Sequence, residues 1–122
     1  MYEVRVDVEK NRIYVVLGEI NTGDGEKMIQ LVKDGVAKLR SPFTCVSDIS
    51  DFSLLDPGEG KWADTGLKIL ARAGMARAVR VTRHKVKYSE KKEKYGYIVS
   101  PAPTVDAADD ILDAYEADQN LS

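Results

Sequence analysis

Four short runs rich in β-branched and aromatic residues punctuate the chain: residues 13–17 (IYVVL), 43–46 (FTCV), 78–81 (AVRV) and 97–100 (YIVS). Such runs, bounded by turn-forming residues, read as strands. Helix-forming stretches follow the first, second and fourth of them. A strand that reaches its neighbour through a helix must run parallel to it, because a parallel pair needs a crossover of a dozen or more residues. This alternation restricts the chain to an α/β domain built on a largely parallel sheet.

The remaining elements fit around that frame. Tyr2, Val4, Val6 and Val8 alternate with Glu3, Arg5 and Asp7, the period of a half-buried edge strand. The polar turn Glu9-Lys10-Asn11-Arg12 joins it to residues 13–17, so the chain opens with a β-hairpin. Asn21-Thr22-Gly23-Asp24-Gly25 carries helix-start chemistry, and Met28, Leu31, Val32, Val36 and Leu39 recur at helical spacing as far as Arg40. Asp56-Pro57-Gly58-Glu59 announces a second helix within a few residues, on which Trp62, Gly66, Ile69 and Ala73 mark one face. Gly74 suits a left-handed stop. Residues 85–94 are polar and basic without a clear period and stay unassigned. Thr104 caps a last helix with Val105, Ala108, Ile111, Leu112 and Tyr115 as its apolar positions. The expected architecture is therefore α/β, a five-stranded mixed sheet with an opening β-hairpin and helices packed mainly on one face. Residues 1–117 form a single domain, and the polar residues 118–122 are expected to fray.

Composition narrows the function classes. The 122 residues are 43% hydrophobic and 31% charged, which fits one globular domain. A formal net charge of -2 gives the whole molecule no electrostatic reason to bind nucleic acid or an anionic membrane. No apolar stretch approaches the ~20 residues of a membrane span, and the opening MYEVRV lacks the order of a signal peptide, so a cytoplasmic placement without membrane insertion is expected. One Cys and one His exclude an internal disulfide and a Cys/His-rich zinc site. Cys45, among apolar neighbours, reads as a buried thiol.

The stretch CVSDISDFSLLDPGEG, residues 45–60, concentrates the polar candidates. Asp48, Asp51, Asp56 and Glu59 would form a carboxylate cluster at the carboxyl end of the sheet, where open α/β folds bind ligands. The plainer reading has Asp48 at the strand exit, Asp51 in the turn and Asp56 as a helix cap, and it is preferred. Ser50 and Ser53 are the candidate phosphoserines, although serine is also a common turn former. Phe52, Leu54 and Leu55 with Trp62 would lid a pocket for a small apolar ligand. His84 stands between Arg83 and Lys85 with no orienting carboxylate. No nucleophile–base pair, metal-ligand cluster or cofactor cradle is present in the sequence, so no catalytic residue, metal or cofactor is expected.

Half of the 18 basic residues, Arg72, Arg77, Arg80, Arg83, Lys85, Lys87, Lys91, Lys92 and Lys94, lie in one segment interleaved with Tyr88, Tyr95 and Tyr97. Basic residues among aromatics are a nucleic-acid theme. The last helix, however, carries Asp106, Asp109, Asp110, Asp113 and Glu116, so neutralisation within the fold or across a dimer is the simpler expectation. The candidate basic patch is Arg80, Arg83, Lys85, Lys87, Lys91, Lys92 and Lys94.

The hairpin ending in YVVLGEI, the CVSDISDF strand and turn, the ARAGMARAVRV helix end and strand, and the closing TVDAADDIL helix, taken in order, resemble the STAS domains, and within them the SpoIIAA-like branch. The resemblance implies a non-enzymatic domain that docks to a protein partner, or in some members holds a small apolar ligand. Relatives of the antagonist type are switched by phosphorylation just after the strand equivalent to residues 43–47. Asp48-Ile49-Ser50-Asp51 lacks the glycine of that motif, and the loop runs on past Leu55. The expected function is a regulatory or protein-interaction module, with the apolar-ligand carrier and nucleic-acid binding through residues 72–94 as alternatives. Right-handed crossovers that progress in one direction would leave one sheet face open, where a homodimer is expected.

Overall fold

The computed structural model describes residues 1–54 and 61–121. In chain order its elements are β1 (Tyr2–Asp7), β2 (Arg12–Leu17), β3 (Glu19–Ile20), α1 (Asp24–Val36), β4 (Phe43–Asp48), β5 (Ser53–Leu54), α2 (Lys61–Ala73), β6 (Met75–Val81), β7 (Lys91–Lys92), β8 (Ile98–Ala102) and α3 (Val105–Leu121). The main sheet has the order β1-β2-β4-β6-β8-β7, and β3 and β5 form a separate parallel pair. The hairpin β1–β2 is antiparallel, with Tyr2 opposite Leu17 and Asp7 opposite Arg12. Strands β2, β4, β6 and β8 are mutually parallel, and β7 returns antiparallel on β8.

The main sheet thus has six strands where five were expected. The sixth is β7, inside the unassigned basic segment; a two-residue strand of exposed lysines has no period to read. Two further boundaries differ. Helix α1 stops at Val36, short of Arg40, and α3 continues through Leu121, so residues 118–121 are helical where a frayed tail was expected.

Period two divides the sheet into its faces. Ile13, Val15 and Leu17, Phe43 and Cys45, and Ala78 join one cluster with Met28 and Val32 of α1 and Trp62 and Leu70 of α2. Tyr14, Val46, Val79 and Val81 join a second cluster with Ala108 and Leu112 of α3. Helices α1 and α2 share a face because both belong to right-handed crossovers of a sheet that grows in one direction. Helix α3 follows the last parallel strand, so no crossover dictates its side, and it folds onto the opposite face. The face expected to be open is therefore covered, which removes the reason for expecting a homodimer there.

The α2–β6 junction behaves as anticipated. Gly74 has φ 113, and its carbonyl accepts a hydrogen bond from the Phe43 N–H at 3.1 Å. A Cβ at Gly74 would overlap the Ser41 side chain and lie 3.0 Å from the Ser41 Cα. A non-glycine residue in a sparsely populated backbone region costs about 1–3 kcal/mol, and the clash with Ser41 places Gly74→Ala at the upper end. Urea unfolding is expected to show that loss as a lower midpoint with an unchanged slope. Among the described residues no helix is long and apolar enough to cross a membrane.

Candidate functional site

Between α1, α2 and the sheet the side chains leave a cavity of about 180 Å³. Its walls are Val15 and Leu17 of β2, Met28, Ile29 and Val32 of α1, Leu67 and Leu70 of α2, and Ile49 and Phe52 of the loop after β4. Alternation along β2 and helical spacing along α1 and α2 put these residues on a common side. The loop is held over the cavity by the Ile49 N–H donating to the Val81 carbonyl at 3.0 Å, by the Phe52 N–H donating to the Ile49 carbonyl at 3.1 Å, and by the β3–β5 pairing.

Two glycines shape the space. A Cβ at Gly25 would overlap the Trp62 ring, so glycine in the first turn of α1 lets that ring lie against the helix. A Cβ at Gly66 would meet nothing within 4 Å, so glycine in α2 leaves room on the cavity side. Phe52 approaches Trp62 edge-on, with ring centroids 6.3 Å apart and planes at 70°. Trp62 is only 8% exposed, and its Nε1 has no hydrogen-bond partner among the described residues. Besides the Trp62 indole, the polar side chains that line the cavity among the described residues are Ser47 and Arg80, which are register partners on β4 and β6.

Of the residues expected to lid a pocket, Phe52 and Trp62 line this one. Leu55, Asp56 and Glu59 lie outside the described residues, as do the side chains of Ser53 and Leu54. Asp48 accepts hydrogen bonds from the Ser50 N–H at 3.0 Å and the Ser50 hydroxyl at 2.6 Å, closing a turn. Asp51 pairs with Arg83 on the surface. Asp48 and Asp51 thus have separate partners, and among the described residues no group of three or more His, Cys, Asp or Glu is placed to hold a metal ion. Cys45 is buried, and desolvation pushes its thiol up to about 11. His84 is exposed, and its backbone N–H donates to the Thr82 hydroxyl at 3.3 Å.

The basic segment finds its counter-charges elsewhere than expected. Arg77 pairs with Glu90, Arg80 with Glu93 at 3.8 Å, Lys91 with Glu93 at 3.4 Å and Lys94 with Asp64 at 2.8 Å. Lys91 lies over the Tyr88 ring at 4.6 Å and Lys94 over Tyr95 at 5.0 Å, while Tyr97 is buried. The interleaved aromatics thus contact basic groups of the fold itself or lie in its core. Three of the acids on α3, expected to neutralise this segment, face Arg12 instead.

Arg12 was read as the end of a polar turn, yet its side chain is fully buried. It opens β2 on the α3 side of the sheet. Its Nε donates to the Thr44 hydroxyl at 3.0 Å, Nη1 to Asp109 at 2.7 Å, and Nη2 to Asp113 and Glu116 at 3.0 Å each. The Tyr14 hydroxyl also donates to Asp109, at 2.6 Å. Burial alone would lower the guanidinium pKa, but the three carboxylates outweigh it and raise the value. Burial, then the hydrogen bond to Asp109, pushes the Tyr14 phenol up to about 12. For Asp109 burial acts upward, and the bonds from Tyr14 and Arg12 prevail, leaving its carboxyl below the ordinary range. A depressed carboxyl contributes stability that is fully present above its unfolded value near ~3.9 and is lost as pH falls through the folded value. Acid titration of stability is therefore expected to be steeper in the native chain than in Asp109→Asn over that window, as followed by circular dichroism.

The chain is similar to the crystal structure of an uncharacterised protein of the DUF3478 family with a SpoIIAA-like fold, from Shewanella loihica PV-4. The TM-score is 0.59 at 15% sequence identity, and the match covers 92% of each chain. No protein-family model and no curated protein matches the sequence. The fold is SpoIIAA-like, in agreement with the resemblance carried by the strand and helix motifs.

Proposed function

We propose that the chain is a non-enzymatic regulatory module of SpoIIAA-like fold whose small apolar ligand occupies the cavity between α1 and α2. The observation that carries this reading is the cavity itself. Protein interiors are close-packed, with few voids larger than a water molecule. A recess of about 180 Å³ with apolar walls, partly open to the surface, is room enough for a small apolar molecule. Glycine at Gly66, the poorest helix former after proline, keeps the space open where a larger residue would narrow it.

The non-enzymatic reading is supported by how the reactive groups are used. The Cys45 thiol is buried and its pKa is raised, His84 is exposed with no carboxylate bonded to its ring among the described residues, and Asp48 is engaged in a turn. The loop from Asp48 to Phe52 spans the cavity and the surface, so it is the segment through which occupancy would reach a protein partner. A phosphate on Ser50 would face the Asp48 carboxylate, so Ser50 serves as a turn residue in this reading.

Native mass spectrometry and solvent extraction of the chain purified from its own host test the proposal. One small apolar compound per chain is the expected result. A chain that carries no compound, and takes up none from a panel of apolar molecules of this size, would overturn it.

A further inference from the structure

We infer that the cavity takes a small monocarboxylate, an apolar body of six to eight carbons whose carboxylate is received by Arg80 and Ser47. The inference rests on the proposed ligand site and adds the chemical class of its occupant. Size follows from volume: about 180 Å³ is slightly more than the ~150 Å³ of a cavity known to hold benzene. A single ring or a short chain fits, together with a small head.

The head follows from the polar groups. Ser47 and Arg80 stand side by side near the carboxyl ends of two central parallel strands, the end at which such sheets take ligands. Arg80 offers five N–H donors and no acceptor. Its ion pair, with Glu93 at 3.8 Å, is long, and Glu93 is shared with Lys91. Arg12, by contrast, meets its carboxylates at 2.7–3.0 Å. Among the described residues the Ser47 hydroxyl has only the Cys45 sulfur, at 3.6 Å. The Trp62 indole adds a third donor, buried and without a partner among the described residues. Among the described residues lining the cavity there is one cation and no carboxylate. The buried indole N–H calls for an acceptor, and the half-buried Arg80 guanidinium beside an apolar wall favours an anionic one. An amine head would instead face the positive charge of Arg80.

Trp62 is the only tryptophan of the chain, so its emission reports on the cavity. Hexanoate, hexan-1-ol and hexylamine are titrated separately against the full chain. Hexanoate is expected to saturate at one equivalent and to bind roughly ten- to hundredfold more tightly than hexan-1-ol, with hexylamine weakest. Arg80→Met should bring hexanoate down to the level of hexan-1-ol and weaken the alcohol far less than the acid, whereas Arg80→Lys should keep the preference for the acid. Equal or tighter binding of hexan-1-ol by the unaltered chain would overturn the carboxylate and leave the apolar site standing. Failure of all three probes would overturn the site itself. The acid-over-alcohol comparison in the unaltered chain decides even where Arg80→Met does not fold.

Discussion

Arg12→Met is expected to lower the unfolding free energy by about 3–5 kcal/mol, the range for removing one partner of a buried ion pair. The methionine replaces most of the buried volume, so the loss is electrostatic rather than a cavity effect. Asp109, Asp113 and Glu116 would remain clustered on one face of α3 without their shared cation, and Thr44 and Tyr14 would lose the same centre. Asp113 and Glu116 are partly exposed and can be rehydrated, so Asp109, the least exposed of the three, carries most of the penalty. A thermal midpoint lower by roughly 10–20 °C follows for a domain of this size. Combining Arg12→Met with Asp109→Asn should cost less than the sum of the two single changes, because the second removes the charge stranded by the first. Strict additivity would show that the cluster is not acting as a unit.

Gly66→Leu is expected to abolish ligand uptake, with affinity for hexanoate falling roughly hundredfold or more, while the fold becomes more stable by about 1 kcal/mol. The two signs belong together. Glycine within a helix is less favourable than leucine, and here a Cβ would meet nothing within 4 Å, with the cavity beyond it. A residue that weakens its helix and leaves room in the cavity is readily explained by the ligand. If Gly66→Leu destabilised the chain by the ~1–3 kcal/mol of overpacking, the space would not be available to a ligand either.

Legibility in the sequence followed the physical origin of each feature. Strands β1, β2, β4, β6 and β8 were readable because period two and β-branched content are local, and the side of α1 and α2 followed from the handedness of crossovers. Strands β3, β5 and β7 have two residues each, too few for any period. The side of α3 was not dictated, since no later strand pulls it back. Arg12 was hidden among Glu9, Lys10 and Asn11, which together read as a turn. A signal for it did exist: Asp109, Asp113 and Glu116 fall on one helical face at i, i+4 and i+7, a carboxylate stripe that needs a cation opposite. At the cavity, Phe52 and Trp62 stood out in the sequence as apolar loop and helix residues, and both line it. Ser47 and Arg80 were not grouped, because their adjacency depends on the register between β4 and β6, which no local pattern prints. The pairing of the basic segment with Asp51, Asp64, Glu90 and Glu93 likewise came from tertiary geometry.

The indole N–H of Trp62 gives a single cross-peak in a proton–nitrogen correlation spectrum, since the chain has no other tryptophan. In the free chain that proton has no acceptor among the described residues, so an occupant of the cavity must change its surroundings. Titration with hexanoate is expected to move this peak saturably to an end point at one equivalent per chain, and to leave it in place in Gly66→Leu. A peak that stays fixed throughout the titration of the unaltered chain, with hexanoate and then with hexan-1-ol, would contradict the assignment of the cavity as a ligand site.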